Sequence, residues 1–144
     1  MKLTNLQILN PQFVPALEKI LKKEIPLSTC EELAKIIMDI EDRFKLIEKV
    51  RSAMIDKYLE KDTKGQPVVI NGNQPKYKTK EDEKKFLGEL NELLIGEFEV
   101  VLTDKVNLSE DDKMSGQEYL LVKDFITVNK KPIVVTGGAV DISK

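Results

Sequence analysis

Apolar residues recur at helical spacing through the middle of the chain, at Leu33, Ile36, Ile37, Ile40, Phe44, Ile47, Val50, Met54, Ile55 and Tyr58. At about 100° per residue they fall in one stripe, which predicts a helix over about 29–61. Its start carries Ser28-Thr29-Cys30-Glu31 and Thr29-Cys30-Glu31-Glu32, two overlapping capping boxes in which a hydroxyl and a carboxylate satisfy each other's backbone N–H. Glu31/Lys35, Asp39/Arg43 and Glu41/Lys45 are acid-first pairs four apart, each expected to add about 0.2–0.5 kcal/mol on an exposed face. A helix of that span is about 45–50 Å long, more than the width of a domain this size, so pairing with a second copy of the chain is the default expectation.

Shorter elements surround it. Thr4-Asn5-Leu6-Gln7 is a capping box before a short helical turn, and Val14, Leu17, Ile20 and Leu21 make a second helix that stops at Ile25-Pro26, where the residue before proline leaves the α region. Asp62-Thr63-Lys64-Gly65 is a turn, and a strand over 67–70 runs into Asn71-Gly72, a strong hairpin signal. Thr79 caps a helix carrying Phe86, Leu87, Leu90, Leu93 and Leu94 and closing near Gly96. A strand is expected over 98–103. Ser115-Gly116-Gln117-Glu118 opens a helix bearing Tyr119, Leu120, Val122, Phe125 and Ile126, and a last strand is expected over 132–136. The expected fold is α+β and helix-dominated, a long central helix packed with shorter helices and a small antiparallel β element. One domain over 1–128 and a carboxyl-terminal strand and tail over 129–144 complete the organisation.

Length and composition narrow the chemistry. A chain of 144 residues fits one domain, and 41% apolar with 33% charged residues suits a water-soluble globule. The net charge of -2 removes the positive field on which nonspecific nucleic-acid binding relies. Only Arg43 and Arg51 among the 23 basic residues are arginine, the residue for forked phosphate and guanine recognition, so nucleic acid is a poor fit as partner. With no His and a single Cys30, the chain lacks the usual general base, a thiolate cluster and an internal disulfide, and neither metal nor cofactor is expected. No apolar run approaches a signal segment or a membrane span, so a cytoplasmic, membrane-free location is expected.

Few residues break pattern informatively. Arg51 lies 18 positions after Leu33, about five whole turns on, and so points along the apolar stripe. A guanidinium there serves either to bind an anionic ligand or partner carboxylate, or, the favoured reading, to pair with Glu83 or Glu97. Lys76-Tyr77-Lys78-Thr79-Lys80 is the basic patch with an interleaved aromatic, diluted by Glu81, Asp82 and Glu83. Arg51, Lys76, Tyr77, Lys78 and Lys80 are thus the candidate binding residues, with a small anionic ligand as one candidate partner. Glu110-Asp111-Asp112 lacks the alternation and glycine turn of a calcium loop, and Val134-Val135-Thr136-Gly137-Gly138 lacks the following helix that a dinucleotide turn requires. No catalytic set is assigned, and the chain is expected not to be an enzyme.

Several segments, in order, resemble small phage and prophage proteins of low-GC Gram-positive hosts. They are Leu3-Thr4-Asn5-Leu6-Gln7-Ile8-Leu9-Asn10, Glu24-Ile25-Pro26-Leu27, Phe44-Lys45-Leu46-Ile47-Glu48-Lys49-Val50-Arg51, Ile55-Asp56-Lys57-Tyr58, Asp62-Thr63-Lys64-Gly65 and Glu89-Leu90-Asn91-Glu92-Leu93. The resemblance spans most of 1–126 and implies a phage origin and a helix-rich shape, with no mechanism attached. Two classes of function follow as expectations. One is a non-enzymatic accessory protein that binds and antagonises a host defence protein or its nucleotide signal. The other is a virion, tail or scaffold protein that assembles through its long helix.

Overall fold

The computed structural model describes residues 1–129. The chain runs β1 (Lys2–Thr4), α1 (Asn5–Ile8), α2 (Phe13–Leu21), α3 (Leu27–Tyr58), β2 (Val69–Ile70), β3 (Gln74–Pro75), α4 (Lys80–Ile95), β4 (Glu97–Glu99), β5 (Val106–Ser109), α5 (Gly116–Val122), a 3-10 turn over Lys123–Phe125, and β6 (Ile126–Asn129). It is α+β and helix-dominated, with one 32-residue helix against which α1, α2 and α4 pack, while α5 packs on α2.

Local chemistry explains most of the boundaries. Thr4 caps α1 in a complete box with Gln7, and Ser115 does the same for α5 with Glu118. Thr79 Oγ1 accepts from the Asp82 N–H at the start of α4, and Gly96 closes that helix. The boxes expected at Ser28 and Thr29 do not form. α3 begins at Leu27, with Pro26 as a cap that offers no side-chain bond. Proline is already extended there (φ -54°, ψ 143°), so the helix starts directly after it.

Two apolar clusters share α3. The main one joins Phe13, Leu17 and Ile20 of α2 to Leu33, Ile36, Ile40 and Ile47 of α3 and to Val106, Val122 and Phe125. The rings of Phe13 and Phe125 meet edge-on at 6.1 Å. The second gathers Met54, Tyr58 and Leu59 with Tyr77, Phe86 and Leu90, and Leu93 packs against both. The far end of the long helix is therefore covered by α4 and the hairpin. Exposed Met38, Phe44, Leu46 and Val50 leave apolar side chains along its length.

The β structure is three separate two-stranded sheets: β1 with β4 and β2 with β3 antiparallel, β5 with β6 parallel. The strand expected over 98–103 is shorter and earlier, at Glu97–Glu99, because it pairs only with Lys2–Thr4. At the hairpin, Ile70 faces Gln74 across a three-residue loop in which Asn71 and Gly72 take φ 47° and 90°, the left-handed region their residue types tolerate. Behind it, the Glu60 N–H donates to the Lys76 carbonyl, Lys76 to Val68 and Val68 back to Glu60, each at 2.9 Å. This cycle of backbone bonds fastens the hairpin to the chain leaving α3. The strand expected over 132–136 and the tail, beyond Asn129, lie outside the described residues.

Candidate functional site

The segment after the hairpin is extended, so alternate side chains face opposite ways. Lys76 and Lys78 stand exposed, and Lys80 follows at the first position of α4. Tyr77 turns inward, its ring centroid 5.5 Å from that of Phe86. Burial, then the charge of Glu83, push the Tyr77 phenol up from its ordinary value. Lys76, Tyr77, Lys78 and Lys80 together line one groove of about 560 Å³, with Ile70 and Leu87 supplying apolar wall and Glu83 an acidic group.

Compensation of the three cations is uneven. Lys76 pairs with Glu60 at 3.2 Å, a contact in which both side chains are well exposed. Lys78 donates to the Asp56 backbone carbonyl at 3.1 Å, which fixes the ammonium without cancelling its charge. Lys80 has no ion pair among the described residues. Such a groove can receive an anionic group, with the apolar wall for an attached ring or chain. A free stacking platform at Tyr77 is not what the fold provides, because that ring packs on Phe86 and edges the groove rather than standing in it.

Arg51 is not in this groove. Nor does it pair with Glu83 or Glu97: its Nη1 lies 3.2 Å from Glu48 on its own helix, with side-chain exposures of 45% and 47%. The apolar stripe is continuous along α3 but its cover is not. Arg51 falls between Ile47 in the main cluster and Met54 in the second, where the flank is open to water.

Arg43 carries the tertiary role that the pattern did not assign. Its Nε donates to Asn5 Oδ1 at 2.8 Å and its guanidinium lies 5.5 Å from the Phe98 ring centroid, so it does not pair with Asp39. Asp39 is held instead by Lys35 at 2.8 Å, and neither the Glu31/Lys35 nor the Glu41/Lys45 pair forms among the described residues.

Two further concavities had no sequence signal. One, of about 480 Å³, lies between the α1–α2 connection and α3 and is lined by Leu9, Pro11, Val14, Ile40 and Phe44. The other, of about 560 Å³, opens at the amino end of α3. Among the described residues, no group of three or more Cys, Asp or Glu is placed to hold a metal ion, and no helix is long and apolar enough to cross a membrane. Comparison with known proteins finds no matching family model, no matching curated protein and no matching solved structure.

Proposed function

We propose that the chain works by binding without chemistry, as a phage accessory protein that antagonises a host component through the groove edged by Lys76, Lys78 and Lys80. The host component is a defence protein or its nucleotide signal, presenting an anionic group to the three ammonium groups. One observation supports this reading above the others: four residues singled out by charge and aromatic pattern line a single groove with partly uncompensated positive charge. The residues forming it come from the hairpin leg and from the start of α4, two elements fastened by the Tyr77–Phe86 contact, so the surface is set before a ligand arrives.

Exposed Met38, Phe44, Leu46 and Val50 on α3 favour a second reading, a virion or scaffold protein assembling through its long helix. Affinity purification of the tagged chain from infected host cells separates the two. A stoichiometric host protein or a bound nucleotide, identified by mass spectrometry, is the expected result. Recovery with virion or tail components alone would overturn the accessory reading in favour of assembly.

A further inference from the structure

The chain that carries the groove's lysines is paired along one side only. The Lys76 N–H donates to the Val68 carbonyl, the Lys76 carbonyl accepts from the Glu60 N–H, and the Lys78 N–H donates to the Tyr58 carbonyl. In an extended chain the backbone groups of successive residues point to opposite sides, so those of Pro75 and Tyr77 face away from these partners. Neither the N–H nor the C=O of Tyr77 has a hydrogen-bond partner among the described residues. Pro75 stands opposite Val69, one step from the Lys76–Val68 bond, so its C=O also points outward. Proline is tolerated in a sheet where its missing N–H would have faced solvent, which agrees with an open edge here. This edge borders the groove: the residues from Gln74 through Lys80 line it without a break, and Glu83 and Leu87 of α4 complete the wall.

An open edge accepts an extended segment as a further strand, the main chain supplying attraction and the side chains choice. Lys76 and Lys78 make the choice. They are two positions apart, so they share one face of the edge, and both are exposed. A residue directly opposite on an added strand would lie beside each ammonium, where like charge repels and opposite charge attracts. Lysines on an edge keep it from pairing with strands at large; the same two lysines favour a strand with acids at alternate positions.

We infer that the groove takes an extended segment of a partner protein, with Asp or Glu two residues apart, added antiparallel to the edge at Pro75–Lys78. The residue between the two acids exchanges both backbone bonds with Tyr77, and the acids stand opposite Lys76 and Lys78. This rests on the reading of the groove as the binding surface and names a protein segment, rather than a nucleotide, as its occupant.

Amide spectra of the full chain, titrated with the end-capped peptide Thr-Val-Glu-Val-Glu-Val-Thr, test the inference. Saturable binding is expected, with a downfield shift and slowed exchange of the Tyr77 N–H. The same peptide N-methylated at its central valine cannot donate to the Tyr77 C=O and should bind about tenfold more weakly. Lysine in place of both glutamates should weaken binding by about the same factor, and the variant Lys76→Glu, Lys78→Glu should invert that preference. Unchanged affinity on N-methylation would mean that the lysines hold the carboxylates without an added strand, which overturns the inference and leaves the groove as a binding surface. An absence of saturable binding, an equal response of the Tyr77 N–H to adenosine triphosphate, or an unaltered preference in the charge-reversed variant also overturns it. Failure of the groove reading itself shows separately, as a host component that stays bound when Lys76, Lys78 and Lys80 are all replaced by alanine.

Discussion

Asn5 and Arg43 form the polar joint of the fold. Asn5, 1% exposed at the start of α1, accepts from Arg43 Nε at 2.8 Å and donates from Nδ2 to the Leu93 carbonyl at 2.6 Å. Its own backbone N–H donates to the Gly96 carbonyl at 2.8 Å. One short side chain thus ties α1 to the middle of α3 and to the end of α4. A buried donor or acceptor left without its partner costs about 1–3 kcal/mol. Asn5→Leu should therefore lower the unfolding free energy by about that amount, measured by urea denaturation. Gly96→Ala should also destabilise, because a Cβ there would stand 2.8 Å from Asn5 Nδ2.

The two arginines should behave oppositely when each is replaced by Met. Arg51→Met removes only an exposed pair with Glu48, so stability should stay within about 0.5 kcal/mol of the parent. Arg43→Met leaves Asn5 Oδ1 unpaired in a buried position and should cost about 1–3 kcal/mol. Equal losses in parallel denaturation curves would show that Arg51 has a structural partner after all.

Helix caps offer a second internal contrast. Thr79→Ala and Ser115→Ala each delete a side-chain bond to a helix amide and should cost about 0.5–2 kcal/mol. Ser28→Ala should be close to neutral, because Ser28 is inside the first turn of α3 and caps nothing. A thermal melt of the three variants checks the ranking.

Acid should weaken the attachment of α5 and its preceding loop to α2. The Lys23 ammonium, then the Ser109 N–H, hold the Asp112 carboxyl below its ordinary value of 3.8, and the Lys19 ammonium, then the Ser115 N–H, hold Glu118 below 4.5. A carboxyl depressed in the folded state contributes stability that is present above its unfolded value and lost as pH falls through the folded one. The stability difference between the parent and the double variant Asp112→Asn, Glu118→Gln should therefore be present near neutral pH and shrink as pH drops below these ordinary values. Denaturation curves at several pH values, at low salt, measure it. A difference that persists unchanged in strong acid would contradict the assignment.

Strong local chemistry made parts of this fold readable from the residues alone. The long stripe of α3, the box at Thr4, the cap at Thr79 and the Asn71-Gly72 turn each carry their own instruction, and each element appears where that instruction puts it. What stayed hidden depends on partners distant in sequence. Lys2–Thr4 is too short to show alternation and becomes a strand because Glu97–Glu99 lies beside it. Val106–Ser109 does alternate, buried then exposed, but its parallel partner strand begins at Ile126, a residue whose apolar spacing assigns it to the helix opened at Ser115, which in fact ends at Val122. The same limit governed the candidate site. The basic patch with its interleaved aromatic is legible in 76–80, and its residues line one groove, whereas helical phase alone puts Arg51 under a cover that the tertiary fold does not supply at that turn.

The binding account rests on the groove, and the most direct measurement compares its variants. Under the proposed phage accessory role, native mass spectrometry of the chain purified from its host cells should show a stoichiometric host protein or nucleotide on the parent. The same species should remain on Arg51→Ala and be lost from the triple variant Lys76→Ala, Lys78→Ala, Lys80→Ala, with an unchanged circular-dichroism spectrum confirming its fold. Retention of the partner by the triple variant would contradict the account.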